Sequence, residues 1–138
     1  MNNLIDIIAK LSGMMGQMEE NAKEQYNLSS LTLTQMHYME AINHLDNPNI
    51  TELAGVLKLS KPTVTVAIDK LVEKEYVFKV KSDEDRRSAH IHLTEKGKLI
   101  NQMHEYAHKR ISESISKKLN NSELEQLMKL LNKILKNN

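Results

Sequence analysis

The sequence predicts a mainly α-helical fold with one small β-hairpin, and three observations support this fold class. Only four Gly and two Pro occur among 138 residues, so few residues interrupt helices. Apolar residues recur at helical spacing along most of the chain, beginning with Leu4, Ile8 and Leu11. Two short segments, 76–82 and 88–93, instead alternate in the manner of strands and flank a charged turn. We therefore expect one domain with helices on both sides of a single hairpin.

Composition excludes several classes of protein. Nineteen basic and eighteen acidic residues give a net charge of +1, so overall charge indicates neither nucleic acid nor a membrane surface as a partner. The chain has no Cys, which excludes disulfides and thiolate metal or redox sites. It has no apolar run that could span a bilayer, no signal-peptide pattern, no Gly-rich phosphate loop and no nucleophile in a recognisable context. We expect a soluble, cytoplasmic protein that is not an enzyme and requires no cofactor.

The first two helices are predicted from spacing and capping. Apolar spacing from Leu4 predicts a helix to about Gln25. Thr32 and Gln35 have the spacing of a capping box, which predicts a second helix that ends near Asp46.

Residues 49–77 predict a helix-turn-helix. We expect Thr51 to cap a first short helix that runs from Glu52 to about Lys58. Ser60 caps the second helix, and Pro62 is tolerated in its first turn. In such a pair the second helix enters the major groove of DNA, whereas the alternative is a helical hairpin with a solvated threonine face. The positions predicted to face inward are Leu53, Ala54 and Leu57 in the first helix, and Val64, Ile68, Leu71 and Val72 in the second.

The hairpin that follows this helix pair predicts a wing. Its two alternating segments enclose the run Asp83-Glu84-Asp85-Arg86-Arg87. One arginine can extend into the minor groove, where negative potential is concentrated, while the other pairs with Asp85 and stiffens the turn. The alternative is an ordinary solvated turn. His90 and His92 share one strand face and are predicted to lie on its solvent side.

Two further helices complete the chain. Thr94 is predicted to cap a long helix, and Ser122 with Glu125 to form a capping box at the last one. Their apolar stripes, together with that of the first helix, exceed what one small lobe buries, which favours a helical dimer over a monomeric bundle.

The succession "ELAGVLKLSKPTVTVAIDKL" and "DRRSAHIHLTEKG", between long flanking helices, resembles the MarR family of winged-helix transcription regulators. The resemblance implies a homodimer that binds double-stranded operator DNA. It also implies one domain, 1–138, in which a DNA-binding lobe at about 33–93 lies between dimerisation helices at about 1–26 and 95–138. The DNA-binding residues that it implies are Ser60, Lys61, Thr63, Thr65 and Lys70 in the recognition helix, and Arg86 and Arg87 in the wing.

A set of histidines predicts an effector site. His104 and His108 have the i, i+4 spacing that can hold one metal ion, and His37 and Glu19 lie on helices near the proposed cleft. By resemblance, these four positions match a Glu-His-His-His zinc site in zinc-uptake repressors of the family. This implies zinc as one candidate effector and metal-uptake genes as its targets. The second zinc site of those repressors uses a Cys, which this chain lacks.

A different branch of the family resembles the chain more closely. "TQMHYMEAI" and "SDEDRRSAHIHLTEKGKLI" are similar to repressors of fatty-acid synthesis genes in low-GC Gram-positive bacteria. That branch responds to long-chain acyl groups on acyl carrier protein, and it shares the Glu and His positions. The resemblance therefore implies an acyl effector, with zinc or another small ligand as alternatives. The methionines Met14, Met15, Met18, Met36 and Met39 either line an acyl pocket or belong to the ordinary core.

Overall fold

A computed structural model describes residues 3–82 and 88–136 of the chain. Within these ranges it confirms a mainly α fold with one two-stranded antiparallel sheet. None of the described helices is both long and apolar enough to cross a membrane. The elements are α1 (Leu4–Gln25), α2 (Leu33–Leu45), α3 (Ile50–Leu57), α4 (Lys61–Glu73), β1 (Val77–Lys81), β2 (Ala89–Leu93), α5 (Glu95–Ser116) and α6 (Asn121–Leu135).

Side-chain caps fix the start of each helix, and three of the predicted caps are confirmed. Thr32 and Gln35 form a capping box at α2, Ser60 accepts from the backbone N–H of Thr63 at α4, and Thr94 caps α5.

Two other predicted caps are wrong. Asn49, not Thr51, caps α3 with Glu52, and Asn120, not Ser122, caps α6 with Glu123. In both cases an asparagine side chain accepts a hydrogen bond from the N3 backbone N–H as well as a hydroxyl does, and the helix begins two residues earlier than predicted. A glutamate at N3 completes a capping box at each helix.

The core lies where α2, α4, the sheet and α5 meet. Side chains of α3 and α4 contribute as predicted at Leu53, Val64, Ile68 and Leu71, all of which are buried. Val72 was predicted to face inward but is exposed, because Leu71 already fills the last inward position of α4. The largest fully buried side chains also include Met39, Ile42, Ile91, Ile100 and Met103.

The segment Thr94–Gly97 holds the long helix α5 against the chain that leads into β1. The Thr94 hydroxyl donates to the carbonyl of Glu75 at 2.6 Å, and the Thr94 N–H donates to the carbonyl of Tyr76 at 3.1 Å. Gly97 packs so closely here that a Cβ would overlap the Tyr76 carbonyl oxygen. The glycine at this position therefore has a physical reason, which is the close approach of α5 to the chain that enters β1.

The hairpin is anchored to the rest of the lobe at its base. The backbone N–H of Ile91 donates to the carbonyl of Pro48 at 2.8 Å, and His90 Nδ1 donates to the carbonyl of Asn47 at 2.9 Å. The ring of His92 lies 5.3 Å from that of Phe78. Both histidines lie, as predicted, on the face of β2 opposite the fully buried Ile91, beside the exposed Phe78 and Val80, and their neighbours leave them half-buried.

Candidate nucleic-acid interface and effector cleft

The outer face of α4 is a polar surface with one exposed apolar side chain at its centre. Lys61, Thr63 and Lys70 are exposed, as their predicted contact with DNA requires, and Thr65 is half-buried. Val66 lies among them with 57% of its surface exposed. Hydroxyls and ammonium groups suit phosphates or base edges, and a valine methyl suits a thymine methyl.

Ser60 and Thr63 form a small hydrogen-bonded unit at the start of this face. The Ser60 hydroxyl accepts from the Thr63 N–H at 3.3 Å and donates to the Thr63 hydroxyl oxygen at 2.8 Å. This contact holds both hydroxyls at the N-terminal end of the exposed face of α4.

The N-terminal end of α2 extends this surface. Thr32, Thr34 and Gln35 line a groove of about 400 Å³ together with Thr63, Val66 and Lys70 of α4. The sequence analysis did not select Thr34 or Gln35 as site residues. Their capping box signals a helix N-terminus, but only the packing of α2 against α4 shows that they border the recognition face.

The wing residues Asp85, Arg86 and Arg87 lie outside the described residues, so their predicted roles stay predictions. The strands on either side are described, and their register pairs Lys81 with Ala89 and Val77 with Leu93. One ion pair ties this hairpin to α4, because Lys79 Nζ lies 2.7 Å from Asp69 Oδ1.

Three of the four predicted effector residues line one cleft. His37, His104 and His108 lie on a cleft of about 670 Å³ between α2, α3 and α5. Glu19 lines a separate groove along α1 with Ile8, Leu11, Ser12, Met15 and Gly16. The predicted contact between Glu19 and the histidines therefore stays a prediction.

Two carboxylates, those of Glu40 and Glu105, line this cleft, and Glu40 contacts a histidine. His104 Nε2 lies 2.7 Å from Glu40 Oε1, and the His104 and His108 rings meet edge-on with centroids 4.4 Å apart. The buried Nδ1 of His104 has no hydrogen-bond partner among the described residues. The sequence carried a signal for Glu40, which follows His37 by three residues and so shares its face of α2.

This arrangement is a polar cleft rather than a formed metal centre. Within 3–82 and 88–136, no group of three or more His, Cys, Asp or Glu side chains is placed to hold a metal ion. Ala41, Val56 and Leu57 add a short apolar wall. Met36 and Met39 are buried in the core, and the methionines of α1 are half-buried.

Part of the chain is similar to proteins of one known family. The MarR family model matches residues 31–89, which hold α2, the helix-turn-helix and β1. The HTH-type regulator YpoP of Bacillus subtilis, itself uncharacterised, is 43% identical over 51 residues, which are 37% of this chain and 36% of that protein. PchR of the same organism is 27% identical over 92 residues, 67% of this chain and 54% of PchR. The chain thus matches between a third and a little over half of the length of these relatives.

Solved structures match over nearly the whole chain. FabT of Streptococcus pneumoniae, crystallised in complex with DNA, superposes with a TM-score of 0.77 and 26% identity, covering 93% of this chain and 89% of FabT. Wild-type MarR of E. coli superposes with a TM-score of 0.69 and 22% identity, covering 99% and 98% of the two chains. At that identity the MarR structure supports the fold alone.

These findings show that residues 31–89 resemble the MarR family and that the fold is similar to the winged-helix fold of FabT and MarR.

Proposed function

We propose that this MarR-type regulator binds an operator as a homodimer and represses genes of fatty-acid synthesis in response to acyl chains on acyl carrier protein. The outer face of α4 is the observation that carries the DNA-binding part. It presents exposed Thr63, Val66 and Lys70 side by side, while Ile68 and Leu71 anchor the opposite face in the core. Such a helix can enter the major groove without uncovering the core.

The terminal helices support the homodimer. α6 has no buried residue, although Met128, Leu131, Ile134 and Leu135 lie on it, and Ile134 and Leu135 are 75% and 73% exposed. On α1, Ile5 is 77% exposed. Contiguous apolar stripes of this kind mark interfaces, and a second copy of the chain offers the same stripes by symmetry. A dimer also matches operators with two half-sites.

The position of the histidine cleft supports control by an effector. The cleft lies between α5, which belongs to the predicted dimerisation region, and α2 and α3 of the lobe. The His104–Glu40 contact joins α5 directly to α2. A ligand that rearranges this contact would alter how the lobe lies relative to the dimer, because it would bind one arrangement better than the other.

The choice of an acyl effector is supported by the sequence resemblance and by the similarity to FabT. Zinc remains a second candidate because His37, His104 and His108 share one cleft. It is weaker because Glu19 lies elsewhere and His104 Nε2 is engaged by Glu40.

A titration of operator affinity separates these effectors. Fluorescence anisotropy would follow binding to a duplex from the promoter of the source organism's fatty-acid synthesis genes. Palmitoyl acyl carrier protein should tighten binding by about tenfold, which is the usual size of an allosteric coupling. Unacylated acyl carrier protein is the control and should have no effect.

Zinc added to the metal-stripped protein is the second arm of this titration. If zinc tightened binding in the wild type but not in a His104→Ala/His108→Ala variant, the zinc alternative would replace the acyl one. An equal affinity with acylated and unacylated carrier would reject acyl control.

A further inference from the structure

Asp69 places an exposed carboxylate on the surface of α4 that we assign to DNA. It lies one helical turn after the exposed Val66, and its side chain is 59% exposed. A carboxylate there opposes the approach of the phosphate backbone, because juxtaposed like charges weaken an interface. A recognition helix that keeps such a group requires something to neutralise it.

Among the residues that the structure describes, Lys79 neutralises it. Its Nζ lies 2.7 Å from Asp69 Oδ1, and the lysine is carried by β1, the first strand of the wing hairpin. The Lys–carboxylate pairs Lys23–Glu20 and Lys98–Glu95 each join residues three apart on a single helix. The Asp69–Lys79 pair, in contrast, joins two elements that both face DNA in the proposed function.

Stability does not account for this pair. An exposed ion pair contributes about 0–1 kcal/mol to folding because water and salt screen it. α4 and the hairpin are already held by buried Ile68, Leu71 and Ile91. The contact therefore changes the surface of the protein rather than its stability. It cancels one negative charge on the recognition helix, and it holds β1, the strand that leads to the wing, beside that helix.

We infer that Asp69 and Lys79 are a positioning pair for DNA recognition. Lys79 removes the charge of Asp69 from the path of the phosphates and holds β1 at a fixed place beside α4. This inference rests on the proposed DNA-binding function. It makes a distinctive statement about Lys79, namely that this lysine acts through Asp69 rather than by contacting a phosphate itself.

A rescue experiment tests the statement. The probe is the duplex that the wild-type chain enriches from a random DNA pool, so no target gene is assumed. Lys79→Met should weaken binding about tenfold, because it leaves an unpaired carboxylate against the phosphates. Asp69→Asn/Lys79→Met should restore affinity to within about threefold of wild type, since the carboxylate is then gone. Thermal unfolding temperatures should stay nearly equal in all variants, as a surface pair predicts.

Lys81→Met is the matched control, because Lys81 is an exposed lysine on the same strand and the same face of β1. Asp69→Asn should not rescue it. If Asp69→Asn failed to rescue Lys79→Met, or rescued Lys81→Met equally, the positioning pair would be rejected while the DNA-binding function stood. If the wild-type chain enriched no duplex, the proposed function and this inference would both fail.

Discussion

The recognition helix α4 and the last helix α6 are both amphipathic, but only α4 buries its apolar side within the chain. Val64, Ile68 and Leu71 of α4 are almost fully buried, and its exposed face is largely polar. Along α6, the comparable residues Met128, Leu131 and Ile134 all remain exposed. Two helices with the same amphipathic pattern thus differ in whether their apolar side is buried.

The difference lies in what each helix has to pack against. α4 is enclosed by α3 and β1 and lies over the core, so its own chain completes its apolar stripe. α6 follows α5 at the end of the described chain and has no layer of its own chain over that stripe. A stripe left open in this way predicts an interface with another chain. The outer face of α4 is mainly polar and indicates an interface with DNA instead.

Paired isoleucine truncations test this contrast with the largest expected effect. Ile68→Ala should lower the free energy of unfolding by about 2–5 kcal/mol, because it removes buried volume from the core. Ile134→Ala should change the unfolding of the separated chain little, because the side chain is exposed there, but should weaken self-association. Urea unfolding and sedimentation equilibrium measure the two quantities. Equal losses of unfolding free energy would mean that the two helices do not differ in the proposed way.

Replacing the wing arginines tests whether DNA binding can be lost while self-association is kept. Arg86→Ala/Arg87→Ala should weaken binding to the enriched duplex by about a hundredfold, because two cationic contacts to the groove are lost. Self-association through α6 and the melting temperature should be nearly unchanged. Anisotropy titrations at several salt concentrations measure this, and normal binding by the double variant would show that the wing assignment is wrong.

Gly97→Ala tests whether the lobe and α5 are joined as closely as the structure shows. A Cβ at this position would overlap the Tyr76 carbonyl oxygen and crowd Met39. We expect a loss of about 2–3 kcal/mol in unfolding free energy, since a packed backbone cannot shift freely. Gly55 is the control, because a Cβ there meets nothing within 4 Å. If the two alanine variants were equally stable, the close approach would be absent in solution.

The smallest expected effect concerns Tyr38, a core residue of α2. Burial raises the pKa of the Tyr38 phenol above its ordinary value of 10.0, because the charged form is poorly solvated there. The unfolded chain therefore loses this proton at lower pH than the folded one, so stability is unaffected below pH 10.0 and falls as pH rises above it. Urea unfolding on either side of this pH should show a steeper decline for wild type than for Tyr38→Phe. Identical declines would contradict the burial of this phenol.

Much of the fold was predictable because its signals are local. The boundaries of α1 and α2, the capping of α4 and α5 and both strands follow from spacing, hydroxyl caps and alternation. The caps of α3 and α6 were misplaced because Asn, Ser and Thr compete for that role within a few residues. The sequence offers no local rule that ranks them.

The site was less predictable because it depends on which helices meet. Helical periodicity placed His104 and His108 on one face, and the structure brings His37 to them. Helical periodicity did not predict that Glu19 lines a different groove on α1, or that Glu40 contacts His104. The Asp69–Lys79 pair was equally hidden, since its partners are ten residues apart on a helix and a strand.

The number of chains on one enriched duplex tests the central claim most directly, which is that α6 gathers two copies so that two α4 helices read DNA. Native mass spectrometry of the wild-type chain with that duplex should show two chains per duplex. A Leu131→Lys/Ile134→Lys variant should remain folded but lose this complex at the same concentration. A tight complex of one wild-type chain per duplex, or an unchanged complex in the lysine variant, would contradict the account.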